Sequence, residues 1–185
     1  MRTCVRVLTW LGLGGFALCT LTAATQVTYL TPQDLAQHSQ AVVRGKVISV
    51  DSYWNDNHTK IFTRTRIHVD ETYKGNPQPV IDVIQLGGVV GNVKVTVHGS
   101  TRWEVGEEVL LFAEPYKAGD FQVAGFSQGK FGIIRDPKTG QAYVRVPVAD
   151  ETTLLGASPG RQHAPVSRQK MVPVDEFVER ALGRR

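Results

Sequence analysis

The stretch Lys60-Ile61-Phe62-Thr63-Arg64-Thr65-Arg66-Ile67-His68-Val69-Asp70-Glu71-Thr72-Tyr73 decides the fold class. Ile61, Thr63, Thr65, Ile67 and Val69 share one face, and Phe62, Arg64, Arg66, His68 and Asp70 share the other. Successive side chains of a strand point to opposite sides, so a period of two held this long predicts an antiparallel strand with one dry and one wet face.

The neighbouring segments read the same way. Ala41 to Val50 is rich in valine and isoleucine, and Gly45 interrupts it where a bulge or a close backbone approach is expected. Asn55-Asp56-Asn57-His58 is a polar turn between the two runs, and Lys74-Gly75-Asn76-Pro77 turns the chain into Val80 to Leu86. Gly87-Gly88 and Gly91 read as a loop before an alternating strand at Val93, Val95 and Val97. Val109-Leu110-Leu111-Phe112 is continuously apolar, which predicts cover on both faces. Lys117-Ala118-Gly119-Asp120 is a hairpin turn into Phe121 to Phe126, and residues 136–140 join Phe131 to Arg135 with Ala142 to Val148.

Many short strands with regular turn signals predict a mainly β, antiparallel barrel or sandwich. A short N-terminal helix should start at Thr31-Pro32-Gln33-Asp34, with a threonine cap, proline in the first turn and an acid behind it, and end near Ser39. Residues 150–172 hold glycine, proline, serine and charge without periodicity and read as an exposed linker. Residues 173–183 then form a C-terminal amphipathic helix whose stripe of Val174, Phe177, Val178, Ala181 and Leu182 should dock on the barrel, with Gly183 as its stop.

Residues 1–24 read as a secretory signal peptide. Arg2 and Arg6 give a positive start, Val7 to Leu21 is apolar, and Thr22-Ala23-Ala24 offers a small-x-small cleavage site. An uncleaved anchor is the rival reading, although the apolar run is short of the about 20 residues a span needs. Lipid attachment at Cys19 is a second rival, and Leu18 is large for the position before a lipidated cysteine. Cleavage leaves about 160 residues, with 25–149 as the barrel domain, enough to bury a core. Losing two arginines lowers the net charge from +4 to about +2, too mild to argue for nucleic acid. Both cysteines, Cys4 and Cys19, leave with the signal, so the mature domain has no disulfide, cysteine nucleophile or thiolate metal site. The expected location is secreted or periplasmic, with no stable membrane span after cleavage.

Ala41-Val42-Val43-Arg44-Gly45-Lys46-Val47, the alternating strand, and Tyr73-Lys74-Gly75 together resemble the opening of netrin-type, TIMP-like modules. Gly87-Gly88 with Gly91, Val105 to Phe112, and Gly125 through Gly129-Lys130-Phe131 are similar to pieces found in a group of uncharacterised secreted bacterial proteins. The resemblance covers 39–148 and implies a five-stranded OB-type barrel. Its motifs are turns and core strands, which speak to fold more than function. By the same resemblance, TIMP-type inhibitors grip a protease zinc with an N-terminal cysteine. A chain that matures near Thr25 has none, and that mechanism does not carry over.

Gly125-Phe126-Ser127-Gln128-Gly129 matches the G-x-S-x-G nucleophile elbow in letters. That elbow needs a helix after the serine, whereas Lys130-Phe131-Gly132-Ile133-Ile134 reads as a strand. The two glycines then serve tight turns, and no catalytic residue is assigned. His38, His58, His68, His98 and His163 form no metal-binding spacing. His68 and Asp70 share a face that His98 could join, but surface histidines beside acids are ordinary, so no metal and no cofactor is assigned. Trp54 and Trp103 read as packing, and Asn57-His58-Thr59 is a glycosylation sequon relevant only in a host that glycosylates.

The candidate ligand-binding residues are Lys60, Arg64, Arg66 and His68, a basic stripe on one strand face, with Lys94 as a further candidate neighbour. A charged strand face is most often simply solvated, yet on an OB-type barrel such a stripe can track an anionic polymer. The leading expectation is a non-catalytic exported binding module for a protein or an anionic surface polysaccharide. The alternatives are a small secreted hydrolase or metal-dependent enzyme, and an inhibitor or accessory factor of an exported protease.

Overall fold

The computed structural model describes residues 29–147 and 169–184; the expected signal peptide at 1–24 and most of the 150–172 stretch lie outside the described residues. The molecule is mainly β, with one large mixed sheet, a small hairpin and two helices. The long strands are β1 (Ala41–Trp54), β2 (Ile61–Lys74), β3 (Val80–Leu86) and β6 (Glu108–Pro115). Shorter ones are β4 (Gly88–Val90), β5 (Val93–Val95), β7 (Phe121–Val123), β8 (Lys130–Arg135), β9 (Ala142–Pro147) and β10 (Gln169–Pro173). The helices are α1 (Pro32–His38) and α2 (Val174–Leu182).

The pairings run β1–β2–β3–β7–β6 and return to β1, because β1 pairs with both β2 and β6. All are antiparallel except β3 with β7, which meet in parallel at one position, Val83 with Phe121. β8 joins the edge of β6 beside β7, and β9 and β10 continue outward from it. A first core contains Val43, Val47, Ile67, Val83, Trp103, Val109 and Leu111. A second, between the outer sheet face and the helices, contains Leu35, Val42, Leu110, Phe112, Val144, Phe177 and Val178. Alternate residues of β6 feed the two cores, and Val109, Leu110, Leu111 and Phe112 are all fully buried. The unbroken apolar run therefore has the cover on both faces that its sequence demanded.

The alternation of β2 is realised as read. Ile61, Thr63, Thr65 and Ile67 are buried, while Arg66, His68 and Asp70 are exposed. Gly45 carries both a register shift and a close approach: a Cβ there would overlap the His68 carbonyl oxygen. Thr31 caps α1 in a reciprocal capping box with Asp34, whose carboxyl is held below the usual range by the Thr31 hydroxyl and backbone hydrogen bonds. α2 turns its apolar stripe onto the outer core and stops at Gly183, in the left-handed conformation. Tyr73 Oη donates to Glu71 at 3.0 Å and to Asp175 on α2 at 3.4 Å, and burial pushes its phenol well above the ordinary range.

Three expectations change. The 87–91 segment is not a loop: Gly88 to Val90 is β4, which pairs with β5, and β5 stops at Val95. Its anchor is tertiary, since Thr63 Oγ1 donates to the Gly87 carbonyl at 2.7 Å and Val89 N–H donates to Ser52 Oγ at 3.2 Å. The strand after the 117–120 turn ends at Val123 rather than Phe126, because Ala124 and Gly129 both bond the backbone of Phe112 and close a turn. The expected linker gives way at Gln169, where β10 pairs with β9.

Lys130 fastens the 102–107 segment to the sheet. Its largely buried Nζ donates to both Glu107 carboxylate oxygens at 2.7 Å and to the Arg102 carbonyl at 2.6 Å, 4.8 Å from the centre of the Trp103 ring. Lys130→Ala should cost about 2 kcal/mol, because hydrogen bonds from a charged donor are lost and the half-buried Glu107 carboxylate keeps only the long bond from Glu104 N–H at 3.4 Å. Urea unfolding of the variant checks this; an unchanged midpoint would show that the clamp is idle.

Candidate functional site

Arg64, Arg66 and His68 lie on one side of β2, and Lys60 stands just before it at the end of the β1–β2 turn, but the four form no single pocket. A strand advances about 3.3 Å per residue, so Lys60 and His68 stand about 26 Å apart. The register of β2 with β3 sets Arg66 opposite Asp82, and one Asp82 carboxylate serves both guanidinium groups, 3.3 Å from Arg64 Nε and 3.2 Å from Arg66 Nε. Arg64 also lies over the Tyr53 ring at 5.2 Å. His68 Nδ1 is 3.2 Å from Asp70 Oδ1. The stripe is therefore largely balanced by its own neighbours, a feature invisible without the strand register. Lys94 sits on the β4–β5 hairpin, opposite Val89.

At the Lys60 end the stripe meets a cleft of about 590 Å³ between two turns. The turn joining β1 to β2 supplies Asn55, Asp56, Asn57, Thr59 and Lys60. Asn55 fixes it: Oδ1 accepts from the Thr59 and Lys60 N–H groups at 2.8 Å, and Nδ2 donates to Thr59 Oγ1 at 3.1 Å. Thr59 Oγ1 in turn donates to Asn57 Oδ1 at 2.7 Å, so the sequon forms part of the exposed tip. The turn joining β6 to β7 supplies Tyr116, Lys117, Ala118 and Asp120, and is closed by Tyr116 N–H to the Asp120 carbonyl at 2.8 Å.

The floor is aromatic. Tyr53 and Phe62 are cross-strand partners whose ring centres lie 6.2 Å apart, and Tyr116 faces the same space. Burial pushes the Tyr53 phenol above its ordinary range, with Arg64 opposing. Trp54 stacks on His58 beside the cleft, ring centres 6.1 Å apart and planes 5° from parallel. Lys60 and Lys117 are matched in the walls by Asp56 and Asp120. Sequence reading found both turns and Lys60 but missed the aromatic floor, since Tyr116 is far in the chain from Tyr53 and Phe62. The available signal was an aromatic residue flanking each polar turn.

Phe62 and Tyr116 also line a neighbouring, smaller recess of about 160 Å³, together with Ile84, Gln85, Leu86, Ser100, Gln122, Val123 and Phe126. Ser127 lies in the turn between β7 and β8; the next element is a strand, so the elbow geometry is not formed. Among the described residues no group of three histidine, aspartate or glutamate side chains comes together as a metal site, and no helix is long and apolar enough to cross a membrane. No protein-family model matches the chain, and no curated protein proves similar to it.

Proposed function

We propose that the protein is an exported, non-catalytic binding module built on an OB-like, netrin/TIMP-type barrel, and that the cleft between the 55–60 and 116–120 turns takes its ligand, a protein or an anionic surface polysaccharide. The cycle of pairings, with its one parallel contact between β3 and β7, supports the barrel part of this reading. On such a barrel these two turns occupy the loop positions that flank polymer-binding faces. Export rests on the three-part N-terminal signal in the sequence. The observation that carries the binding reading is the aromatic floor of Tyr53, Phe62 and Tyr116, held between two turns that are fixed by their own hydrogen bonds.

Aromatic side chains recur as energetic anchors at interfaces, each worth more than about 1 kcal/mol. A Tyr53→Ala/Tyr116→Ala variant should therefore bind at least about tenfold more weakly, with its melting curve as the control for folding. The probes are an array of heparin-derived and neutral oligosaccharides and a peptide library, read with purified protein. Retained binding in the double variant rejects the cleft. Heparin retention unchanged in Arg64→Ala/Arg66→Ala rejects its anionic version. Hydrolase turnover abolished by Ser127→Ala would overturn the non-catalytic reading altogether.

A further inference from the structure

β3 and β7 pair at one position only, Val83 with Phe121. The recess that opens between them has apolar walls of Phe62, Ile84, Leu86, Val123 and Phe126. We propose that this recess is a socket for one large apolar side chain of a partner polypeptide, which lies extended along the cleft. The inference rests on the binding reading above and selects the polypeptide from its two ligand classes.

The mouth of the socket is unusually apolar for a solvated surface. Phe126 is 49% exposed and Leu86 41%. Phe126 is also in the left-handed region, at φ +70°, which a bulky residue seldom adopts. The turn enforces it: Ser127 N–H donates to the Gly125 carbonyl and Gly129 N–H to that of Ala124, both at 2.9 Å. Gly99 leaves room for the ring, since a Cβ there would stand 3.2 Å from Phe126 Cε1. Backbone strain is thus retained at a position where its product is an exposed aromatic ring, the pattern found at ligand clamps.

Size and charge choose the occupant. At about 160 Å³ the recess is below the roughly 300–1,000 Å³ of small-molecule sites, yet it suits a single side chain. Among the described residues no charged side chain lines it, although the rest of the β2 face carries arginines and aspartates. An anionic polymer would meet no cation there. A polypeptide complements it, with an apolar side chain against the walls and an uncharged main chain beside the Gln85 and Gln122 amides and the Tyr116 hydroxyl.

The test pans a random 12-residue peptide library against the purified protein and tests the same protein against heparin-derived and neutral oligosaccharides. Phe126→Asn removes the ring and tolerates the left-handed backbone, so its melting temperature should not fall. Expected are enriched peptides sharing one leucine, methionine or phenylalanine, bound at least tenfold more weakly by Phe126→Asn and by Leu86→Ser, with a similar loss when the shared residue becomes alanine. Enriched peptides without an apolar anchor, or equal binding by both variants, overturn the socket. Oligosaccharide binding lost in Tyr53→Ala/Tyr116→Ala, with no peptide enriched, overturns the polypeptide and leaves the cleft standing. No binding by any probe overturns both. A dimer in sedimentation that dissociates in Phe126→Asn overturns a foreign partner in favour of a second copy.

Discussion

Gly45→Ala should destabilise the protein by about 3 kcal/mol, and Gly45→Val should yield little folded material. Gly45 is buried in β1 and paired on both sides, with Val69 of β2 and Val109 of β6. A Cβ at this position would overlap the His68 carbonyl oxygen and come 2.8 Å from Ile67 Cγ2. The obstacle is backbone, so no rotamer change relieves it. Moving β1 away from β2 drives it toward β6, and either shift breaks ladder hydrogen bonds that both cores need. Gly132→Ala is the control: its nearest neighbour would be Glu107 Oε1 at 3.5 Å, and its φ is not positive. That change should be neutral or stabilising by about 0.5 kcal/mol, by reducing the freedom of the unfolded chain. Urea unfolding of the two alanine variants side by side decides the matter. Equal midpoints would mean that β1 can shift at Gly45 without cost.

The same close approach marks where sequence reading succeeds. Periodicity is local, and it placed the faces of β2, the doubly covered run 109–112 and the interruption at Gly45. What it missed depends on partners distant in the chain. β10 has no alternating pattern of its own and exists because β9 offers it an edge. β4 forms around two glycines, normally loop residues, because Gly88 packs against the Ser52 and Thr63 hydroxyls where a side chain would not fit. The basic stripe was legible as Arg64 and Arg66, but their shared pairing with Asp82 required the β2–β3 register. The aromatic cleft required two turns more than fifty residues apart to stand side by side. Turn chemistry is readable from sequence; which turns become neighbours is decided by the order of strands.

Phe112→Ala should cost about 4 kcal/mol, and Phe112→Leu about 1 kcal/mol. Phe112 is fully buried on the outer face of β6 and meets Phe131 of β8 edge-on at 5.8 Å and Phe177 of α2 at 6.2 Å, while those two rings lie 4.9 Å apart. The three rings join the sheet to the C-terminal helix, and truncating the central one leaves a cavity that rigid strands on either side cannot close. Leucine fills most of that volume and gives up chiefly the ring–ring contacts, about 0.5–1.5 kcal/mol each. Phe112 also holds the 124–129 turn through its backbone, accepting from Ala124 N–H at 2.9 Å and donating to the Gly129 carbonyl at 2.8 Å. Those bonds survive any side-chain change. The alanine variant should therefore lose about 10 °C in melting temperature while what folds still presents Phe126 at the recess. Its binding to a peptide selected on the native protein, measured well below the melting transition, should stay within about threefold of native, a shift below about 0.7 kcal/mol. Binding that falls in step with stability would mean that the turn is set by packing of the Phe112 ring and not by the backbone bonds on either side of it.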